Sequence, residues 1–247
     1  MTWLEVWAAG LPTVNRSRKC HASTGIPSDL SHRFGRPSEP RHGPIAFQRS
    51  RETRRMSDLT RLRGFVKDFT DLIDEVGMDE PRILDAGERL LSELVGNDDW
   101  LPEAFSAPHP DHYEQYLLHC DPKERFSVVS FVWGPGHTTP IHDHTVWGLV
   151  GILRGAERNT EFVLGASGEP PRASDEEICS AGDVARVSPT VGDIHRVSNV
   201  ADHPSVSIHV YGANIGRVSR HVYDERTGEE KSFISGYSSK VLPNIWG

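Results

Sequence analysis

Apolar residues recur every three or four positions over two stretches of the chain, which predicts two amphipathic helices. The first stretch runs from about Asp58 to Glu75, with Ser57 available as the N-cap. Its apolar stripe consists of Leu59, Leu62, Phe65, Val66, Phe69, Leu72, Ile73 and Val76. The second stretch runs from about Pro81 to Val95, with proline at its first position and Gly96 at its end. We expect both apolar faces to form a cap packed against the rest of the domain.

From Tyr113 onward the pattern changes to an alternation with a period of two, which predicts β-strands. The predicted strands cover about residues 114–120, 125–134, 145–154, 157–164, 175–180, 184–188, 194–200, 205–212, 217–224 and 231–236. Glycine, proline and aspartate separate these strands, and a turn at 226–229 joins the last two. Because no helical pattern lies between them, the sequence predicts an antiparallel barrel or sandwich.

Two parts of this strand region carry histidines at spacings that suit a metal ion. His142 and His144 lie two residues apart between β-branched runs, so both imidazoles leave one face of a strand or of its entrance. His195 follows a glycine-rich turn between two short runs, as expected when a neighbouring strand of a small barrel delivers a side chain to the same interior. Imidazole suits iron, zinc, copper and nickel alike, so the three histidines predict a metal site without identifying the metal.

The two histidine-containing stretches together resemble the paired motifs of the cupin superfamily. The matching residues are Gly136, His142, His144 and Gly155 in the first motif, and Gly182, Pro189, Gly192, His195 and Asn199 in the second. Most cupins place a glutamate where this chain has Gly148, so the chain resembles the cysteine dioxygenase family of thiol dioxygenases. That resemblance implies a mostly β cupin barrel (a double-stranded β-helix) with an N-terminal helical cap. It also implies Fe(II) held by the three histidines.

A further stretch, SVSIHVYG, supports the same resemblance. Ser207, His209 and Tyr211 alternate with apolar residues, and a period of two places all three polar side chains on one face. They resemble the Ser-His-Tyr relay beside the iron of this family, which implies catalytic roles for them. In mammalian members the tyrosine is crosslinked to a cysteine shortly after the second metal histidine. This chain has Trp-Gly-Leu at 147–149, so no crosslink is expected.

Substrate choice is predicted to depend on Gln115 of the first strand. Members of the family that select cysteine carry an arginine there, which pairs with the substrate carboxylate, whereas a glutamine resembles the bacterial type associated with 3-mercaptopropionate. A neutral amide recognises a carboxylate more weakly than a guanidinium fork does. Arg220 is therefore predicted to bind the substrate carboxylate in place of the missing arginine. The alternative is that Arg220 forms an ion pair on the surface. The resemblance implies oxidation of a small thiol carboxylate by O2 to its sulfinic acid, with 3-mercaptopropionate ahead of L-cysteine and then mercaptosuccinate.

Composition restricts the partners further. The net charge of −8 divides unevenly, because residues 1–55 carry ten basic and four acidic residues, or +6, which leaves −14 for residues 56–247. An acidic body argues against nucleic-acid binding. No apolar run approaches the ~20 residues that span a bilayer. The three cysteines show no disulfide spacing, which favours a reducing cytoplasm.

Residues 1–55 lack a helix or strand period, and their composition predicts a disordered extension. A targeting peptide and a basic interaction tail are alternatives. The favoured interpretation is that Met56 is the natural start, because a helix pattern begins directly after it. Residues 56–247 are then one cupin domain, with a helical cap at 57–96 and a barrel at 113–240. Two other functions stay open: a zinc or nickel cupin that isomerises or hydrolyses its substrate, and a non-catalytic cupin that binds a small carboxylate ligand.

Overall fold

A computed structural model describes residues 58–166 and 169–246, which begin with two helices. Helix α1 spans Thr60–Val76, and the Asp58 carboxylate accepts a hydrogen bond from the Thr60 amide at its start. Helix α2 spans Glu80–Val95 and is capped by Asp79, whose side chain accepts from the amide of Arg82. Both predicted helices are present, and α2 begins one residue earlier than expected because Asp79 caps it. Residues 1–55 and Ser57, for which an extension and an N-cap were predicted, lie outside the described residues.

In the described part of the chain, eleven strands follow a short 3-10 helix at Glu103–Phe105. They are β1 Glu114–Cys120, β2 Ser127–Trp133, β3 Ile141–His142, β4 Gly148–Arg154, β5 Ala156–Val163, β6 Arg172–Ser180, β7 Val184–Val187, β8 His195–Asn199, β9 Ser205–Tyr211, β10 Arg220–Tyr223 and β11 Glu230–Phe233. The ten predicted strands are all present, and their ends differ by at most three residues. Strand β3 was missed because a two-residue strand has no measurable period and is recognised only by its partners, β8 and β10.

The strands form two antiparallel sheets. One has the order β1-β2-β9-β4-β7, and the other has the order β11-β10-β3-β8-β5-β6. Strands that follow one another along the chain, such as β3, β4 and β5, alternate between the two sheets. This winding is the double-stranded β-helix of a cupin barrel, so the predicted fold class is confirmed.

The two helices cover the outer face of the five-stranded sheet. Helix α2 packs on β4 and β7, and the outward residues Val206, Ile208 and Val210 of β9 belong to the same core as the helices. The contact is close at Gly151 of β4, where an added Cβ would lie 2.9 Å from the Leu91 Cγ of α2. The opposite face of β9 is thereby left to line the barrel interior.

Two further observations concern membranes and disulfides. In the part of the chain that the structure describes, neither helix combines the length and the apolar character needed to cross a bilayer. Cys120 and Cys179 are both free thiols, and Cys179 is buried. Cys20 lies outside the described residues.

The close approach of α2 to β4 predicts the effect of a single methyl group. Gly151→Ala is expected to lower the free energy of unfolding by about 1–3 kcal/mol, because the new Cβ must displace Leu91 or the helix that carries it. Urea denaturation followed by circular dichroism measures this change.

Gly64→Ala is the matched control, since nothing lies within 4 Å of a Cβ at this helical position. We expect the free energy of unfolding of that variant to be about 0.5–1 kcal/mol higher than that of wild type, because alanine loses less backbone entropy on folding than glycine does. Equal stability of wild type and Gly151→Ala would show that α2 does not lie this close to the sheet.

Candidate metal centre

The three histidines predicted to bind a metal lie together inside the barrel. His142 of β3 pairs directly across the sheet with His195 of β8, and His144 follows two residues after His142. The donor atoms of the three rings lie within 4.8 Å of one another, and each residue is only 1–6% exposed. Among the described residues, this converging group contains three imidazoles and no carboxylate.

A second set of hydrogen bonds orients these rings. Each Nδ1 lies beside an acceptor: the Pro140 carbonyl for His142 (3.1 Å), the Asp193 carboxylate for His144 (3.0 Å) and the Asn159 amide oxygen for His195 (2.7 Å). An acceptor at Nδ1 keeps the ring proton on that atom, so the lone pair of each imidazole is on Nε2. This arrangement, in which outer groups fix the tautomer of the inner ligands, is typical of metal-binding histidines.

Burial also keeps the three rings neutral. Desolvation lowers the pKa of His195 to about 4, and it lowers the pKa of His142 and of His144 well below the usual range. A metal ion needs the neutral form of imidazole, so the rings are ready to coordinate without losing a proton. The donor set therefore fits a divalent transition-metal ion.

Gly148 of β4 explains why the group contains no glutamate. A Cβ at this position would lie 2.8 Å from Cδ1 of Tyr211 and 2.9 Å from Cγ2 of Val187. The tyrosine ring therefore occupies the space into which a side chain at this position would extend. Accommodating Tyr211 beside the histidines and placing a fourth ligand at Gly148 are mutually exclusive in this packing.

The predicted relay residues form a continuous hydrogen-bonded chain along the inner face of β9. Ser207 Oγ lies 2.9 Å from Nε2 of His209, and Nδ1 of His209 lies 2.7 Å from the Tyr211 hydroxyl. The Tyr211 ring stacks on His144 with centroids 5.3 Å apart, so this series of hydrogen bonds ends beside the candidate metal ligands. Burial lowers the pKa of His209 and raises that of Tyr211, which keeps both groups neutral near pH 7.

One member of this hydrogen-bonded series, Trp133, was not predicted from the sequence. Trp133 Nε1 donates a hydrogen bond to Ser207 Oγ at 3.1 Å, from the neighbouring strand β2. From the sequence, Trp133 is expected to be part of the barrel packing, because an indole in a strand is more often part of the packing than of a polar network. The register of β2 against β9, in which Phe131 pairs with Ser207, brings the two side chains together.

The two predicted substrate contacts have different surroundings. Gln115 is buried, and its Nε2 donates a hydrogen bond to the Gly236 carbonyl at 2.6 Å. Arg220 is 3% exposed, lies over the Phe233 ring and donates to Ser235 Oγ at 2.8 Å. Within the described residues it forms no ion pair, so the alternative of a surface ion pair was wrong. Its charge also lowers the pKa of His142 and of His144, which places this cation close to the candidate metal centre.

The outer hydrogen bond to His195 generates a testable prediction. Asn159→Ala is expected to weaken Zn²⁺ binding by about 10–100-fold, because the His195 ring loses the acceptor that fixes its tautomer. Competition with a chromophoric chelator measures the affinity. Asn97→Ala, which removes an exposed amide at the end of α2, is the control and should bind Zn²⁺ like wild type. An unchanged affinity for Asn159→Ala would remove the orienting role of this residue.

Comparison with known proteins identifies relatives of this chain. The family model described as cysteine dioxygenase type I matches residues 100–226. Cysteine dioxygenase type 1 of Bos taurus is 32% identical over 124 residues, which cover 47% of this chain and 58% of that protein. The Homo sapiens protein of the same name is 30% identical over 124 residues with the same coverage. The chain thus spans 58% of the length of the curated relatives that it matches.

Solved structures with a similar arrangement include a cupin superfamily protein from Desulfitobacterium hafniense. It is 14% identical with a TM-score of 0.36, and the match covers 48% of this chain and 94% of that one. Oxalate oxidase in complex with glycolate is 18% identical with a TM-score of 0.35, over 42% of this chain and 53% of that one. The family match covers half of the protein. It includes the three histidines, the hydrogen-bonded residues Ser207, His209 and Tyr211 of β9, and both predicted substrate contacts. The protein therefore belongs to the cysteine dioxygenase type I family of the cupin superfamily.

Proposed function

We propose that the protein is an iron-dependent thiol dioxygenase, which converts a small thiol carboxylate and O2 into a sulfinic acid. The observation that carries this proposal is the convergence of three neutral imidazoles, without a carboxylate, beside the hydrogen-bonded tyrosine of β9. Membership of the cysteine dioxygenase family supports Fe(II) as the metal, since imidazole alone suits several metals. The reaction adds both oxygen atoms of O2 to one sulfur atom and consumes no external reductant.

The chain's own residues have separable tasks in this reaction. His142, His144 and His195 would hold the metal as neutral ligands, and bound Fe(II) would supply positions for a thiolate and for O2. Burial of the three rings excludes bulk water from the reacting atoms. The low dielectric of such a site strengthens each hydrogen bond that is made to the substrate.

Tyr211 is proposed to act on the substrate side of the metal ligands. Its ring is held against His144, and its hydroxyl is held 2.7 Å from Nδ1 of His209. The raised pKa of Tyr211 keeps the phenol protonated, so it offers an O–H group to a bound molecule. His209 and Ser207 are positioning residues, because they act on the substrate only through this hydroxyl.

Arg220 supports a preference for 3-mercaptopropionate over L-cysteine. A buried guanidinium is costly unless an anion compensates it, and no described carboxylate forms an ion pair with Arg220. A substrate carboxylate would provide that anion. The ammonium group of L-cysteine would add a second cation near the arginine, whereas 3-mercaptopropionate has none. The Gln115 amide N–H group already bonds to Gly236, which supports assigning the carboxylate to Arg220 alone.

We place this activity in a reducing cytoplasm, with the thiol substrate and O2 as the partners. The free thiols of Cys120 and Cys179 support this compartment, because cysteines in oxidising compartments are usually paired. The excess of acidic residues in the folded part of the chain supports the exclusion of nucleic acids.

Oxygen uptake tests the proposed reaction directly. The full-length protein loaded with Fe(II) is expected to consume one O2 for each sulfinate formed, as measured with an oxygen electrode and mass spectrometry. We expect kcat/KM for 3-mercaptopropionate to exceed that for L-cysteine by about tenfold or more, since two like charges about 4 Å apart repel each other by about 1–4 kcal/mol. His195→Ala is the inactive control. A preference for L-cysteine would contradict the substrate assignment, and no uptake with any thiol acid would contradict the enzyme assignment.

Arg220→Met tests the carboxylate contact while keeping much of the side-chain volume. The KM for 3-mercaptopropionate is expected to rise by about 10–100-fold, because a charge-assisted hydrogen bond is lost. The KM for 2-mercaptoethanol, which has no carboxylate, should change little. Arg217→Met is the matched control, since Arg217 is exposed and pairs with Glu124. Equal effects of Arg220→Met on both thiols would contradict a role in carboxylate recognition.

A further inference from the structure

A series of hydrogen bonds joins the two side chains that were predicted to contact the substrate, Gln115 and Arg220. Arg220 Nη2 donates to Ser235 Oγ at 2.8 Å, and Ser235 Oγ donates to the Gly236 carbonyl at 3.3 Å. The same carbonyl accepts a hydrogen bond from Nε2 of Gln115 at 2.6 Å. The directions are consistent, because the guanidinium and the amide nitrogen donate, the carbonyl accepts, and the hydroxyl does both. One short segment, residues 235–238, therefore contacts both predicted substrate residues.

Strand register directs Arg220 to the same side of the sheet as the candidate metal ligands. Val222 of β10 pairs with His142 of β3, and paired residues on neighbouring strands project from one face. Because side chains alternate along a strand, Arg220 projects from that face as well. Phe233 of β11 pairs with Arg220, and the guanidinium carbon lies 4.8 Å from the centre of its ring. The arginine therefore extends over Phe233 on the face that carries His142.

The guanidinium of Arg220 is held by one hydrogen bond and has further N–H groups to donate. Among the described residues Ser235 Oγ is its one hydrogen-bond acceptor, and the buried Nε has no partner there. Arginine has five N–H groups in a planar fork, so most of them remain for an anion such as a carboxylate. The Phe233 ring restrains the plane of the guanidinium but not its rotation within that plane. The bond to Ser235 is therefore the contact that fixes where the fork points.

Further hydrogen bonds hold the 235–238 segment in place. The Gly236 amide donates to the Gly216 carbonyl at 3.0 Å, and the Gly216 amide donates to the Tyr237 hydroxyl at 3.0 Å. Ser238 exchanges two hydrogen bonds of 2.9 Å with the backbone of Gln115 on β1. The contact is close, since a Cβ added at Gly216 would lie 2.5 Å from the Tyr237 ring. The position of the segment is therefore fixed by bonds that do not involve the arginine.

We propose that Ser235 is a specificity-determining positioning residue, which directs the Arg220 guanidinium toward the carboxylate of the substrate. The hydroxyl proton of Ser235 is donated to the Gly236 carbonyl, so Ser235 acts on the substrate only through Arg220. The ligand class that this arrangement selects is a thiol that carries a carboxylate group. This role rests on the proposed function, since the proposed substrate supplies that carboxylate.

A directing role differs in its consequences from a role in attaching the 235–238 segment to the barrel. If Ser235 directs the guanidinium, the loss of its hydroxyl weakens the binding of thiols with a carboxylate and spares thiols without one. The loss also has no effect once Arg220 has been removed. If Ser235 only attaches the segment, its loss affects both kinds of thiol alike and does so with or without the arginine.

Thiol binding to full-length protein loaded with Zn²⁺ tests the proposal without turnover, by isothermal titration calorimetry. Ser235→Ala is expected to raise the Kd for 3-mercaptopropionate by about 3–10-fold, because the hydrogen bond that orients the guanidinium is lost. The Kd for 2-mercaptoethanol, which has no carboxylate, should change by less than about twofold. Ser232→Ala, which alters an exposed serine of β11, is the matched control and should bind both thiols like wild type.

A double-mutant cycle with Arg220 isolates the directing role. Added to Arg220→Met, Ser235→Ala is expected to change the Kd for 3-mercaptopropionate by less than about 1.5-fold, because the group that it orients is absent. Thermal unfolding of each variant verifies that it is folded. An unchanged Kd in Ser235→Ala would overturn the proposal. An equal rise for both thiols, or the same rise in the Arg220→Met background, would overturn it as well.

Oxygen uptake by the Fe(II)-loaded protein then separates this inference from the proposed function. Ser235→Ala is expected to raise the KM for 3-mercaptopropionate by about 3–10-fold and to leave kcat within about twofold of wild type, because Ser235 affects binding of the carboxylate end. Binding that depends on Ser235 without any oxygen uptake would contradict the proposed function and leave the positioning role standing. Oxygen uptake with a KM that Ser235→Ala leaves unchanged would overturn the positioning role.

Discussion

The alternation of strand β9 between two environments is the constraint on which the rest of this structure depends. Its apolar residues Val206, Ile208 and Val210 pack into the core formed with the helices. The residues between them, Ser207 and His209, face the barrel interior. Because the side chains of a strand alternate strictly, the same packing that attaches the helical cap to the sheet directs the polar residues toward the three converging histidines. A slip of one residue would exchange the core and the site.

Desolvation then sets the protonation state of each group inside the barrel. It holds the three converging imidazoles neutral, as metal coordination would require, and it keeps the Tyr211 phenol protonated. It also leaves Arg220 as a buried cation close to the metal centre and Glu157 as a carboxyl group with a pKa of about 8. One physical effect therefore gives these groups different chemical characters, according to which charged form each would have to bury.

Steric exclusion decides what the site lacks. The backbone of Gly148 lies against the Tyr211 ring, so the position that carries a glutamate in most cupins contributes no ligand here. A metal held only by three neutral imidazoles keeps its full positive charge and more open positions than one with a carboxylate ligand. Both properties would suit the thiolate substrate that we propose. The absence of a side chain at position 148 is therefore coupled to the presence of Tyr211. A glutamate at position 148 and the Tyr211 ring would occupy the same space.

The sequence by itself determined the features that depend on local backbone geometry. The helix periods around Phe65 and Leu91, the strand alternation at His209 and the spacing of His142 and His144 all follow from the rise and pleat of a single segment. These patterns were enough to predict the two helices, ten of the strands and the three-histidine group. The resemblance to a known family added Fe(II) and thiol oxidation as predictions, which the spacing of imidazoles does not specify.

The tertiary structure alone decided the features that depend on pairs of residues far apart along the chain. The two-residue strand β3 exists only through its partners, and Asn159 meets His195 across 36 residues. The burial of Arg220 and of Glu157 likewise requires the two sheets to close on each other. A strand period records which face a side chain occupies, but not which side chain of another strand it meets there, because that depends on register and sheet order.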